Sequence, residues 1–400
     1  MLTFLCISTY FKGNEFLKSC KLAGNKVLLV TEKKLEHKPW VREFIDEIFY
    51  METPENEEFN LQNLVKGLAY LMQEKKIDRI VALDDFDVEK AAFLRETFRI
   101  AGMGQTTARY FRDKLAMRNK AKDEGLRCPA FTALFNNDEI NHFADNTEFP
   151  MLIKPRAEAS ATGIKKVWNK DELWQTIHQL EDKRHEYLLE QFKPGDVYHV
   201  DSLTVGGKIV FTSVSQYLST PFEVAHGGGI FRSVTSTFGS EDEKELIKFN
   251  EKLLSAFGMN YSASHSEFIK CHDGKYYFLE TASRVGGANL AEMVEASSGI
   301  NLWREWANIE TAVAKGEKYK LPKKEKYYSG IIISLARQQW PDLSQFQDEE
   351  IYWRMNEEYH IGMIVKSKSK AKVMTLLDQY AHIILNEYHA SAPAPDKPSH

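Results

Sequence analysis

The sequence predicts a mixed α/β and α+β protein, with a parallel sheet at its N-terminal end and antiparallel strands beyond it. Three observations carry this reading. Apolar strand-like runs alternate with amphipathic helical stretches over the first quarter of the chain. Two long strand-like runs, "DVYHVDSLTV" and "KIVFTSVSQYL", meet at Gly206-Gly207. A third pair is joined by the turn signal Asp273-Gly274 in "SEFIKCHDGKYYFLE", residues 266–280.

The first unit begins with "LTFLCIS", a buried-strand run. Helical spacing follows through Phe16, Leu17 and Leu22, and Gly24 is placed to end that helix. "KVLLVTE" is the next strand, "LQNLVKGLAYLMQEKK" an amphipathic helix, and "IDRIVAL" a third strand. Strands alternating with helices imply a parallel sheet covered on both faces. Residues 1–112 therefore read as a Rossmann-like domain. It lacks a GxGxxG fingerprint, so no NAD site is expected. "DDFDVEKAAFLRE" leaves the third strand at its carboxyl end, the edge where such sheets bind ligands. Asp84 or Asp85 either touches substrate there or caps the following helix.

Residues 113–193 form a second unit: helix "DKLAMRNKAKDEG", strands "CPAFTAL" and "PMLIKPR", a small-residue turn, strand "IKKVW", helix "KDELWQTIHQLEDK" and strand "YLLEQF". Residues 194–312 hold the two long strands, a Gly-rich loop "VAHGGGIFRS", a helix at 241–257, the hairpin, and a helix near 289–298. Residues 313–390 read as a small strand-plus-helix module. Within it, "SGIIISLARQQW" either completes the preceding domain or contributes a dimer contact. The tail 391–400 is Pro/Ala/Ser-rich and expected to be disordered.

A net charge of −5 supplies no nucleic-acid footprint and no attraction to an anionic membrane. Cys6, Cys20, Cys128 and Cys271 are scattered without CxxC spacing, against a zinc site or a disulfide scaffold. Met1–Tyr10 lacks a basic flank and is too short to span a bilayer. A cytoplasmic protein is the expectation.

The hairpin carries the sharpest chemistry. A two-residue loop at Asp273-Gly274 pairs His272 with Lys275; counting outward, Cys271 faces Tyr276, Ile269 faces Phe278, and Glu267 faces Glu280, these six on one face. Directly opposed like charges destabilise a sheet. A shared proton, a pair of basic partners or a hard divalent cation offsets them; ordinary solvated acids are the plain alternative. Lys154 ends "FPMLIKP" and precedes the turn "RAEASATG", an arrangement that can grip phosphate oxygens. Lys114 opens a helix, where anions rather than cations are favoured; it is a ligand-binding or a plain surface lysine. Glu190, Gln191 and Phe192 lie in a strand that leaves into a turn, offering backbone groups to a flat ring or merely linking domains. Arg284, in "ETASRVGGAN", can hold a carboxylate or acyl phosphate bidentately or pair with a neighbouring glutamate.

In this order the motifs resemble the ATP-grasp superfamily, specifically its biotin-carboxylase-like carboxylate–amine ligases. The resemblance runs over about residues 1–310, and more loosely to 390. "DKLAMRNKAKDEGLRCPAF" is similar to the family's lysine-bearing helix, "FPMLIKP" to its second lysine strand, "LLEQFKPG" to its adenine hinge, and "SEFI" and "FLETASR" to its metal acids and arginine. The resemblance implies a Rossmann-like pre-ATP-grasp domain and an ATP-grasp fold with a lid (113–193) and an antiparallel catalytic subdomain. Lys114 and Lys154 would hold the α/β-phosphates, and Ser160 and Gly163 belong to the phosphate loop. Glu190, Gln191 and the backbone around Phe192 would read adenine. Glu267 and Glu280 would bind Mg2+, or Mn2+ in its place. Arg284, with Lys154, would be catalytic and would also meet the substrate carboxylate.

The implied reaction joins a small-molecule carboxylate to an amine through an acyl phosphate, releasing ADP and phosphate. "STPFEVAHGGGIFRS" would be a substrate loop in which His226 or Arg232 contacts donor or acceptor; a solvated flexible loop is the alternative. A homodimer is the commonest assembly. Three departures stand out: Ala282 where the family often has Asn, Val197 where a ribose-binding acid is expected, and Gly163 as the phosphate turn's single glycine beside Ser160 and Thr162. They keep two other readings open: a biotin-carboxylase-type enzyme activating bicarbonate, and an inactive nucleotide-binding regulator.

Overall fold

The computed structural model describes residues 1–53, 59–159 and 161–391. Residues 392–400 of the expected disordered tail, and Ser160 of the expected phosphate loop, lie outside the described residues.

Four strands, β1 (Thr3–Ile7), β2 (Lys26–Glu32), β3 (Glu47–Met51) and β4 (Arg79–Ala82), form a parallel sheet in the order β3-β2-β1-β4. Alternation sends Phe4, Cys6, Val27 and Leu29 to one face, against Phe16, Leu17 and Trp306. Leu5, Ile7, Leu28 and Val30 pack on the other face against Leu64, Leu68, Ala91 and Leu94. Both faces are thus covered, as the apolar runs predict. The strand β3 is absent from the sequence reading. It is an edge strand whose five residues are all half-buried, so it shows neither a buried run nor a clean alternation. Gly24 sits at φ +82°, just beyond the Asn14–Leu22 helix, a conformation glycine adopts freely.

The second sheet joins β5 (Phe131–Ala133), β6 (Met151–Pro155), β7 (Lys165–Val167) and β8 (Tyr187–Gln191), ordered β5-β8-β6-β7 and antiparallel throughout. Met151, Ile153 and Leu189 face a core shared with Ile140, Leu173 and Ile177 of two helices. The alternate residues Leu152, Lys154 and Glu190 therefore face the other way.

The third sheet has eight strands: β9 (Gly195–Val205), β10 (Lys208–Tyr217), β11 (Phe231–Thr235), β12 (Tyr261–Cys271), β13 (Tyr276–Ala282), β14 (Tyr328–Leu335), β15 (Ile351–Arg354) and β16 (His360–Ser367). Their order is β13-β12-β9-β10-β11-β14-β16-β15, antiparallel at every pairing. The stretch read as a small C-terminal module shares this sheet, because β14 pairs with β11. The C-terminal helix Lys370–Glu387 lies on it, with Val373, Leu376 and Leu377 against Ile332, Met363 and Val365. Gly330 permits that approach: a Cβ there would fall 2.6 Å from Leu377 Cδ1.

Two local expectations need correction. The hairpin loop is three residues, 272–274, not two: Cys271 N–H donates to Lys275 O and Gly274 N–H to Cys271 O. Gly274 takes φ +74°, which a side chain would resist. The register is therefore shifted, pairing Ile269 with Tyr277 and Lys270 with Tyr276. A bulge at Leu279 takes up the extra residue, so Glu267 still faces Glu280. Phe278 then turns to the core beside Phe268 and Phe257 instead of sharing the glutamates' face. Within the expected substrate loop, residues 219–233, Pro221–Gly227 is a helix. Thr220 and Glu223 form a reciprocal capping box with Pro221 at the first turn; the sequence signal T-P-x-E was there to be read.

Candidate active site

The three sheets meet around one cleft of about 710 Å³. It takes Tyr10 and Asp85 from the first, Lys154 and Glu190 from the second, and Glu267, Glu280 and Arg284 from the third and the chain leaving it. The Lys114–Asp123 helix adds Lys114.

Asp113 caps that helix, accepting from Leu115 N–H at 2.9 Å and pairing with Arg156. This fixes Lys114 in the first turn. Its Nζ donates to Glu158 O at 2.5 Å and lies 3.0 Å from Glu280 Oε2. Lys154 Nζ reaches Glu190 Oε1 at 2.5 Å. Arg118 Nε, one helical turn after Lys114, donates to Glu190 Oε2 at 2.5 Å. Glu190 is 1% exposed and Arg118 wholly buried. Burial alone would push the Glu190 carboxyl up, but the Arg118 and Lys154 cations outweigh it and hold it below the usual range. Both Glu190 oxygens thus face cations. Arg118 is a participant the sequence reading missed; its i+4 spacing from Lys114 was the available signal.

The Gln191 N–H donates to Ala130 O at 2.8 Å and the Phe192 N–H to Pro150 O at 3.2 Å, so these amides belong to the sheet's own bonding. The Phe192 ring faces the cleft, and Lys166 Nζ stands 3.6 Å from its centroid, a second contact the sequence did not reveal. Gly163 has φ +69°, and a Cβ there would meet Pro155 Cγ at 2.9 Å. The turn's single glycine is where geometry needs one.

Glu267 and Glu280 stand opposite each other on β12 and β13, and each has a basic neighbour. For Glu280 it is Lys114. For Glu267 it is His265, whose Nε2 lies 3.5 Å from Glu267 Oε1. Tyr217 Oη donates to the same Oε1 at 2.9 Å. Behind them Asp201 bridges two imidazoles, 2.8 Å from His265 Nδ1 and 2.7 Å from His199 Nδ1; His199 Nε2 lies 2.7 Å from Ser233 Oγ. Burial pulls the His265 pKa down, but Asp201 and Glu267 push it up to about 10, so it is a cation. Burial raises the Glu267 carboxyl, yet His265 and Tyr217 hold it below its ordinary value. His199, Asp201 and His265 are close enough together to ligate an ion. Their separations are those of hydrogen bonds, however, and the cluster is satisfied as a network. The paired glutamates suit a hard divalent cation better: they offer carboxylate oxygens at a cleft wall, and the side-chain contacts of Glu267 fall on Oε1.

Arg284 donates through Nη2 to Asp85 and through Nη1 to Val285 O at 2.8 Å. Burial lowers its pKa, but Asp85 and Asp84 raise it further, so it stays charged. It pairs with neither glutamate. Asp84 is the cap, accepting from Phe86 N–H at 3.1 Å, with Lys12 Nζ at 2.6 Å. His226 lies on the Pro221–Gly227 helix, its Nε2 3.1 Å from Ile164 O across the cleft mouth. Arg232 is not in the cleft: on β11 its neighbours Phe231 and Ser233 face inward, and its own Nη1 points outward to Asp378 at 2.8 Å. Val197 lines the cleft, and Ala282 is buried.

An antiparallel sheet carrying paired acids thus stands opposite a smaller antiparallel sheet carrying a lysine and a glycine turn. Residues 147–292 match the family model of the ATP-grasp domain. The arginine-specific L-amino acid ligase of Bacillus subtilis is 27% identical over 241 residues, 58% of this chain and 57% of that protein. A D-alanine–D-alanine ligase of Neisseria gonorrhoeae is 24% identical over 180 residues, 44% of this chain and 59% of its own. The chain thus spans somewhat over half the length of these relatives. Among solved structures, an L-amino acid ligase from Bacillus licheniformis superposes with a TM-score of 0.73 at 17% identity, over 97% of this chain and 98% of its own. The biotin carboxylase domain of the Hydrogenobacter thermophilus 2-oxoglutarate carboxylase, solved with MgADP, ADP and bicarbonate, gives 0.72 at 16% identity, over 98% and 91%. These likenesses bear out the fold expected from the motifs.

Proposed function

We propose that the protein is an ATP-dependent carboxylate–amine ligase that forms an amide through an acyl phosphate and releases ADP and phosphate. The observation that carries this is the convergence of Lys114, Lys154, Glu267, Glu280 and Arg284 on one cleft. In this reading the 113–193 unit is a lid. Lys154 and Lys114 lie where phosphate oxygens need positive charge, and the turn ending at Gly163 closes over them. The Phe192 ring and Lys166 border the base. Glu267 and Glu280 would hold Mg2+, or Mn2+, which when bound neutralises phosphate charge.

Phosphoryl transfer asks a protein mainly for positioning and charge neutralisation. Arg284, fixed by Asp85, presents a cation at the junction of nucleotide and acid sites. The acid attacks the γ-phosphorus; ADP leaves, and an amine then displaces phosphate from the acyl carbon. An acyl phosphate in open water would hydrolyse, so the His226–Ile164 contact across the mouth serves to exclude solvent. The relatives' printed substrates suggest amino acids as donor and acceptor.

The test is ADP and phosphate release from Mg-ATP over a panel of amino acids and other carboxylic acids, each mixed with pooled amines. Release that needs both acid and amine supports the ligase. Release that needs only bicarbonate supports a carboxylase-type enzyme. ATP binding without turnover on any pair supports a regulator.

A further inference from the structure

A second cavity, of about 460 Å³, lies between the edge strand β4, the start of β12 and the Leu302–Lys315 helix. Its charged groups are Arg79, Arg95 and Glu310; Trp306 and Val313 give it an apolar wall. Arg79 is 7% exposed. Its Nη1 donates to Ala101 O at 3.1 Å, but among the described residues nothing accepts a hydrogen bond from its Nε. Glu310 Oε2 is 3.8 Å from that nitrogen, an ion pair too long for a hydrogen bond. Arg95 is committed elsewhere, donating to Ile80 O and Met103 O. Those carbonyls satisfy its N–H groups without cancelling its charge.

Two guanidinium groups therefore face one carboxylate. Burial pushes the Glu310 carboxyl up, against the pull of both arginines. A buried cation without a compensating anion is costly. We propose that this cavity is a second ligand site, binding a small monocarboxylate with its head on the guanidinium of Arg79 and a short apolar tail against Trp306 and Val313. A planar carboxylate matches the guanidinium fork. A phosphate dianion would overshoot the single net positive charge and meet Glu310. Ala82 and Ser283 also line the cavity, and the chain runs on from them to Asp85 and Arg284, so the occupant sits behind that ion pair.

The test is binding of trifluorobutyrate to the full chain, followed by fluorine NMR with Mg2+ and a non-hydrolysable ATP analogue present throughout. Wild type should bind it. Arg79→Met should weaken binding about tenfold, the loss of a charge-assisted hydrogen bond. Glu310→Gln should tighten it by removing the competing negative charge. Absence of binding to wild type at millimolar concentration would mean a water-filled seam and overturn the proposal. So would equal affinity in all three proteins, which would put the probe in the main cleft. Should Arg79→Met not fold, an unchanged affinity in Glu310→Gln overturns it alone.

Discussion

Arg284 and Asp85 join two sheets that the sequence holds 199 residues apart: the guanidinium at the exit of β13 donates to the carboxylate just beyond β4. Both are largely buried, so neither is screened well by water. Removing one partner of such a pair typically costs about 3–5 kcal/mol, because the other charge stays buried and alone. Asp85→Asn should therefore lower the melting temperature. It should also lower kcat, since Arg284 loses the group that aims it. Calorimetry and ADP release on the same preparation check both. An Asp85→Asn protein with wild-type melting and turnover would remove Asp85 from the site.

The opposed glutamates make a second prediction. Glu267→Gln and Glu280→Gln keep the shape of each side chain and remove its charge. Each should cut turnover by about a hundredfold or more, as losses of transition-state electrostatics do. The fold should persist, because Lys114 keeps the Glu158 carbonyl and His265 keeps Asp201 as partners. Mg2+ titrations of nucleotide binding should shift to higher metal concentration in both. Unchanged rates in both would sink the metal assignment.

How legible was this site? Glu267, Glu280, Lys114, Lys154 and Arg284 could be read because each sits in a short local pattern: a strand end, a helix start, a hairpin. The glutamate pairing came out right although the loop length did not, since the bulge at Leu279 repaired the register. What stayed hidden depends on distant chain segments. Arg118 meets Glu190 across 72 residues, His265 meets Asp201 across 64, and Arg284 meets Asp85 across 199. Helical spacing puts Arg118 on the Lys114 face, but no periodicity names the distant partner in any of these contacts. Arg232 failed for a simpler reason: the face of a strand cannot be read inside a loop, and β11 was not foreseen there. The N-terminal sheet was legible where its strands are buried runs, and lost at β3, which is half exposed along its length.

The Arg118–Glu190–Lys154 cluster predicts a pH dependence. The Glu190 carboxyl is held below its unfolded value, which is about 4.3 for glutamate. A depressed carboxyl contributes stability that is complete above the unfolded value and is lost as pH falls through the folded one. Wild type should therefore lose stability on acidification below about pH 4. Glu190→Gln should melt lower at neutral pH, with Arg118 and Lys154 left unpaired. The gap between the two proteins should narrow as pH falls. Melting temperatures across that range decide it, and a gap that stays constant would mean that Glu190 is not ionised in the fold.

The helix Pro221–Gly227 tests how the cleft mouth is held. Seven residues are too few for a self-sustaining helix, so its capping box carries unusual weight. Thr220→Ala removes the hydroxyl that accepts from Glu223 N–H at 3.1 Å, which typically costs about 1 kcal/mol. Nearly all of that cost should be local. Amide exchange over 222–228 should quicken by about fivefold while the melting temperature barely moves. His226 rides on this helix and bonds Ile164 O across the mouth. A looser helix should therefore admit more water, seen as ADP formed without amide product. Quickened exchange with coupling of ADP to amide intact would assign the helix to framework rather than to closure.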